Sequence, residues 1–354
     1  SMSQLFSPLS IGDLVLPNRI VMAPLTRCRA DAGRVPNALM AEYYAQRASA
    51  GLILSEATAV TPMGCGYPDT PGLWSDAQVE GWKGVTAAVH AKGGRIFAQL
   101  WHVGRISDPV HLHGELPVAP SAVRPAGHPS LIRPMREFVT PRALDASEIP
   151  GIVAAYATGA RNALDAGFDG VELHAANGYL IEQFLATKTN LRTDAYGGTI
   201  AKRMRFLLEV ADAVAAEVGA GRVGVHLSPR CDSNDSGTDD AMELYPAVAR
   251  ELGRRKLAFL FTREAEGPDS LTPIMRQEFG GPVIANEKFT PESAEAAIAE
   301  GRADAVSWGK AYISNPDLVA RIKAGAPLAE LDMATVYGVG GLGPKGYTDY
   351  PVMA

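Results

Sequence analysis

The sequence predicts a single α/β domain folded as a (β/α)8 TIM barrel. Three observations carry this expectation. Eight short, almost wholly apolar runs recur along the chain, helix-forming stretches separate them, and polar residues collect at the carboxyl end of nearly every run. Runs of that length, apolar at every position, suit parallel strands buried on both faces. Strict alternation of strand and helix implies a parallel sheet, and eight units close it. The length of 354 residues fits one elaborated barrel, since such barrels take roughly 250 residues and over 400 with insertions.

In chain order, Leu9–Leu16 alternates around Gly12-Asp13 and predicts an N-terminal β-hairpin, read as a small lid. The eight predicted strands are Arg19–Ala23, Gly51–Ser55, Arg95–Leu100, Gly170–Leu173, Arg222–Leu227, Leu257–Phe261, Pro282–Ala285 and Ala305–Trp308. The predicted helices are Asn37–Ala48, Asp76–Ala91, Ser147–Ala166, Ala201–Val218, Asp240–Arg255, Thr272–Phe279, Pro291–Glu300 and Pro316–Lys323. Several open with Asp, Ser, Asn or Thr, whose side chains satisfy the free N–H groups of a first turn. One connection breaks the rhythm: the segment from His102 to Ala146, rich in Pro and His, lies between the third strand and its helix. A loop of that length is functional or disordered, and residues 103–145 are expected to cap the active site.

Composition excludes several classes. A net charge of −6 lacks the basic stripe that nucleic acid requires. No apolar run is long enough to span a membrane. Cys28, Cys65 and Cys231 are too few and too scattered for a disulfide framework or a zinc site. Reduced thiols and a cytoplasmic location are expected, with no metal, in a monomer or homodimer.

Barrel active sites lie at the carboxyl ends of the strands. The fourth strand runs into His174-Ala175-Ala176-Asn177-Gly178-Tyr179. A His and an Asn three apart can aim two N–H groups at one oxygen, and the phenol of Tyr179 can deliver a proton nearby. That set suits an electron-poor substrate held by its oxygen while hydride arrives from elsewhere. The ends of the seventh and eighth strands commonly hold a phosphate. There Trp308-Gly309-Lys310 offers close backbone approach and a cation. Gly338–Gly343 follows no strand and precedes Pro344, so it is no dinucleotide fingerprint.

Many separate segments, in order, resemble the Old Yellow Enzyme family of flavin-dependent ene-reductases. They include Pro17–Arg27, Gln99–Arg105, Glu172–Leu180, Arg192–Gly198 and Asn315–Leu318. The resemblance implies a TIM barrel that binds FMN non-covalently. NADPH or NADH reduces the flavin, and hydride then passes from flavin N5 to the β-carbon of an activated alkene, or to a nitro or nitrate-ester compound. It places Pro24, Leu25 and Thr26 along the flavin, Ala57 and Gln99 at its pyrimidine side, and Asn286, Gly309 and Lys310 around the phosphate. It makes His174 and Asn177 the substrate's hydrogen-bond donors, Tyr179 the proton donor, and Tyr67, Trp101 and Tyr350 pocket walls.

The chain departs from the family pattern at three places. His226 and Lys310 stand where Arg is usual, and Asn286-Glu287 replaces a Gly-rich turn. His226 would face the flavin's N1/O2 edge. Either it titrates there near neutral pH, or it stays neutral and Arg230 or Arg263 supplies the charge. Two other readings are a flavin-free phosphosugar isomerase or aldolase, and a flavin-binding protein without catalysis. The first lacks a convincing Glu base or Schiff-base Lys at a strand end, and intact His174, Asn177 and Tyr179 oppose the second.

Overall fold

The computed structural model describes residues 2–354. A hairpin, β1 (Leu9–Ile11) and β2 (Leu14–Leu16), comes first. Eight parallel strands follow: β3 (Ile20–Met22), β4 (Leu52–Ala59), β5 (Ile96–Trp101), β8 (Gly170–Ala175), β9 (Val223–Leu227), β10 (Phe259–Arg263), β11 (Val283–Asn286) and β12 (Ala305–Trp308). They form a closed barrel, β12 pairing back onto β3 through Val306↔Ile20 and Trp308↔Met22. The remaining strands, β6 (Val118–Ala119) and β7 (Arg142–Ala143), form a two-stranded sheet inside the long insertion. The barrel helices are α1 (Ala38–Ala45), α2 (Asp76–Ala91), α3 (Ile149–Asp165), α5 (Ile200–Val218), α6 (Ala241–Arg254), α7 (Thr272–Phe279), α8 (Pro291–Ala299) and α10 (Leu318–Ala324). Each overlaps a predicted helix. Asn37, Ser75, Thr199 and Thr290 accept first-turn N–H groups as N-caps.

Two short helices were not predicted: α4 (Leu180–Leu185) and α9 (Lys310–Ser314), of six and five residues. Neither is long enough to display a helical period. Both open where strands β8 and β12 deliver their site residues.

Strand periodicity puts successive residues on opposite faces. On β8, Val171, Leu173 and Ala175 join the outer core beneath the helices, so Gly170, Glu172 and His174 point inward. On β9 the inward set is Gly224 and His226. The lower barrel is filled by Val21, Leu52, Leu54, Phe97, Phe259 and Ile284. Gly224 leaves room for a neighbouring ring: a Cβ there would lie 2.1 Å from Phe259 Cζ. Above this layer the inward positions turn polar.

The hairpin does not cover that polar end. Ile11 and Leu16 pack with the lower barrel residues, and Asp13 N–H donates to the Gly221 carbonyl just before β9 at 3.2 Å. The expected lid therefore closes the amino-terminal mouth, because its apolar face needs the apolar layer of the barrel.

Candidate active site

The inward residues of the upper barrel meet through the strand register. Gln99 lies opposite Glu172, His174 opposite His226, and His226 opposite Phe261. Their rings stack across the barrel. Trp101 and His174 have centroids 6.3 Å apart at 13°, and His174 and His226 lie 5.4 Å apart at 10°. Tyr179 meets His174 edge-on at 4.9 Å. His174 and the Tyr179 phenol are thus together.

The loop after β8 is clamped from several sides. Asn177 has φ 58 and Gly178 φ 81, both left-handed. The Asn177 N–H donates to Ser228 Oγ at 2.9 Å, and Ser228 in turn donates to the buried Glu182 carboxylate. The Gly178 N–H donates to the other Glu182 oxygen at 2.7 Å, and Gln183 and Asn234 bind the two carbonyls. Glu182, Ser228, Gln183 and Asn234 were not among the sequence candidates. The signal for the first was present: an adjacent Glu-Gln pair inside the otherwise apolar Leu180–Leu185.

Burial keeps the two histidines neutral. It pushes His174 well below its ordinary value, aided by His226 and Arg263, and takes His226 down to about 3. The titrating His226 is therefore not what the structure supports. His174 Nδ1 faces the Ala176 N–H at 3.4 Å, which leaves Nε2 as its donor. Gln99 Nε2 lies 2.9 Å from Glu172 Oε1 and 3.1 Å from His226 Nδ1, so His226 also carries its proton on Nε2. Of the two arginines considered for the flavin edge, Arg230 is turned onto Glu264 and Asp269, each at 2.8 Å. Arg263 lines the cavity.

Glu172 faces His226 Nδ1 at 3.5 Å, close enough for an ion pair, yet burial raises its carboxyl to about 8. Desolvation of two charges outweighs their attraction at that separation, so the neutral pair prevails. A raised acid stabilises the fold fully below its unfolded pKa, here 4.5, and loses that contribution as pH rises through about 8. The stability difference between parent and Glu172→Gln is therefore expected to drift against the parent from pH 5 to 8, by up to about 1.4 kcal/mol per pH unit. Urea unfolding at three pH values checks this, and a constant difference would show that Glu172 does not take up a proton on folding. The histidines act in the opposite sense, in the range below pH 6.5, and cancel in the comparison.

Tyr179 and Tyr67 share a hydrogen bond of 2.7 Å. Burial raises both, Tyr179 to about 12 even with the Tyr67 hydroxyl lowering it. Tyr67 stacks on Trp101 at 5.5 Å, and Ala57 packs with Trp101, Val103 and the two tyrosines. Tyr350 does not join this wall: its hydroxyl accepts the Asp332 N–H on the C-terminal tail. The Gly338 N–H donates to the Arg27 carbonyl at 2.8 Å and ties another part of the tail to the segment after β3.

Beside the donors lies a cavity of about 510 Å³, walled by Pro24, Leu25, Phe261, Phe289 and Trp308, with His226, Asn177, Asn286, Gly309 and Lys310 also on its surface. Thr26 is not among the lining residues. The residues fit a flat phosphorylated cofactor. The buried His226 Nε2 has no partner and sits at the cavity wall as an unused donor. Lys288 and Lys310 add positive charge, while the acid Glu287 is paired with Arg263 at 3.4 Å. Among the described residues no cluster of His, Cys, Asp or Glu suits a metal ion.

Fold and site together are a closed parallel barrel with a cleft at the carboxyl ends of its strands, lined by apolar side chains, His226, Asn177 and two lysines. Residues 4–329 match the sequence model of the "NADH:flavin oxidoreductase / NADH oxidase family", and the chain belongs to this family. It is 44% identical to a probable flavin mononucleotide-dependent alkene reductase of Leishmania infantum, covering 100% of this chain and 98% of that protein. It is 42% identical to 12-oxophytodienoate reductase 2 of Arabidopsis thaliana, covering 98% and 95%. Among solved structures, morphinone reductase bound to tetrahydroNAD superposes with a TM-score of 0.95 at 48% identity, covering 99% of this chain and 98% of that one. An Old Yellow Enzyme homologue of Zymomonas mobilis gives 0.95 at 44%, covering 99% and 100%. The class expected from the sequence, an FMN-dependent and NAD(P)H-driven ene-reductase in a TIM barrel, is the class these matches show. No helix among the described residues is long and apolar enough to cross a membrane.

Proposed function

We propose that this protein reduces electron-poor alkenes, namely enones, maleimides and nitroalkenes, with nitro and nitrate-ester compounds as further acceptors. The observation that carries the reading is the donor pair His174 and Asn177 gathered with Tyr179 at the carboxyl end of β8, beside the cavity. Bound FMN supplies the hydride. His174 Nε2–H and the Asn177 amide hold the carbonyl or nitro oxygen and stabilise the negative charge that grows there as the β-carbon accepts hydride. Tyr179 then gives its proton to the α-carbon. A phenol is a weak acid, and it suits a step in which the carbanion has already formed. The Tyr67 hydroxyl donates to the oxygen left behind. Trp101 and the 103–145 insertion exclude water. Arg105 pins the insertion by bonds to the Val123 and Asp235 carbonyls, the latter in the loop that also holds Asn177. The whole chain acts as one FMN-binding domain, as a cytoplasmic monomer or homodimer.

Pro24, Leu25, Thr26, Ala57 and Gln99 bind the flavin ring in this reading, and Asn286, Gly309 and Lys310 its phosphate. Lysine binds phosphate as a point charge rather than through a bidentate fork. Lys310→Met is expected to raise the FMN dissociation constant by about tenfold or more, the scale of one charge-assisted bond. Flavin fluorescence on ultrafiltration measures it, and unchanged retention would move the phosphate to Lys288. The reading as a whole is tested by anaerobic reduction with NADPH or NADH followed by addition of cyclohexenone. Reoxidation with formation of cyclohexanone is expected. A reduced protein that no activated alkene reoxidises would overturn it.

A further inference from the structure

Asn177 carries an amide whose two ends differ in chemistry but hardly in shape. For the pair to bind a substrate oxygen, the NH2 end must face the substrate. Turned over, it would present an oxygen to an oxygen. Nothing in residues 170–180 decides between the two.

The deciding group comes from another strand. Arg263, the last residue of β10, points inward by the same alternation as Phe259 and Phe261, and its Nη1 lies 3.0 Å from the Asn177 side-chain oxygen. A guanidinium has five donors and no acceptor, so the amide atom it meets must be the oxygen. Arg263 is itself held: Nη1 also reaches Ser233 Oγ at 3.0 Å and Asp232 at 3.4 Å, and Nε faces Glu287 at 3.4 Å. Three loops of the barrel mouth thus fix one guanidinium. The backbone of Asn177 is fixed by its N–H bond to Ser228 Oγ and by the Asn234 amide donating to its carbonyl.

We propose that Arg263 is a positioning residue that acts through Asn177, holding the amide so that its NH2 group is presented to the substrate oxygen. The inference rests on the substrate-binding role proposed above for His174 and Asn177. It also gives Glu287 a part, since that carboxylate braces the guanidinium. Lysine at 263 retains a donor for the amide oxygen, whereas methionine keeps the apolar stem and removes it.

A double-mutant cycle read by phenol binding tests this. Phenol is titrated into the FMN-bound protein and followed by the long-wavelength absorption that appears when a phenolate lies against the flavin. Arg263→Met should weaken binding about tenfold, the scale of one hydrogen bond to a charged group, and Arg263→Lys should recover most of that loss. The second background is Asn177→Gly, because φ 58 suits glycine without strain. With the amide gone, Arg263→Met should change binding by less than about twofold, since coupled residues do not add. The same tenfold loss in both backgrounds would overturn the proposal, showing that Arg263 acts on the ligand through its charge alone. A parent protein that binds FMN but gives no phenol band would instead overturn the reading of the donor pair.

Discussion

Tyr179→Phe is expected to slow the reduction of enones by about 10²–10⁴-fold, the range that general acid catalysis contributes, while flavin reduction by NADPH or NADH stays nearly intact. Only the second half-reaction consumes the phenolic proton. The side chain is buried in an aromatic wall, edge-on to His174 and Trp101, and phenylalanine preserves those contacts. Nitro compounds and quinones, whose reduced products take protons readily from water, should lose less. Tyr67→Phe should show a smaller loss of the same kind, since it removes the hydroxyl 2.7 Å from the Tyr179 oxygen but leaves the donor in place. Stopped-flow traces of the two half-reactions separate the outcomes. Equal losses in both would mean that Tyr179 serves the fold.

The second large effect is expected from removing the donor pair. His174→Ala with Asn177→Gly should abolish the phenol band and lower the rate of alkene reduction by at least ~10²–10³-fold, which is what loss of one oxyanion donor typically costs. The two losses should not add, because both groups serve one oxygen. Glycine is the appropriate substitute at 177, whose φ of 58 would strain alanine. Flavin content should be unchanged, because neither side chain is needed for the phosphate or the apolar walls of the cavity. An unchanged phenol titration in the double variant would assign the pair a structural role.

His174 is placed by the alternation of residues on β8, whereas Asn177 and Tyr179 are placed by the left-handed turn that follows the strand. Gly170, Glu172 and His174 point into the barrel and their neighbours point out, so the inward register continues the strand pattern directly into chemistry. The inward register came with the closed barrel; the strand end itself, His174 to Tyr179, was legible from the sequence. So were the eight strands, seen as short apolar runs, and the eight barrel helices, several of them seen with capping residues at their starts. The gathering of Pro24, Leu25, Asn286, Gly309 and Lys310 around one cavity was legible too, because a barrel brings all strand ends to one rim. A local period encodes a local structure, and closure of the barrel follows from the count.

What the sequence could not determine are properties that depend on neighbours distant along the chain. The hairpin was legible as a hairpin, but only the apolar layer formed by six other strands draws it to the amino-terminal mouth. Tyr350 was expected as a pocket wall, but its hydroxyl is taken by the Asp332 N–H elsewhere on the tail. His226 looks like a group that titrates near neutrality until the barrel closes over it, and burial among Phe261, His174 and Gln99 then takes it to about 3. The orientation of the Asn177 amide depends on Arg263, 86 positions away. Sequence pattern therefore did not point to Glu182, Gln183, Ser228 and Asn234, which hold the loop after β8, but it did point to the residues at the strand ends that line the cavity. Desolvation and inter-strand hydrogen bonds, which exist only once the barrel is closed, decided how those residues are charged and which way they face.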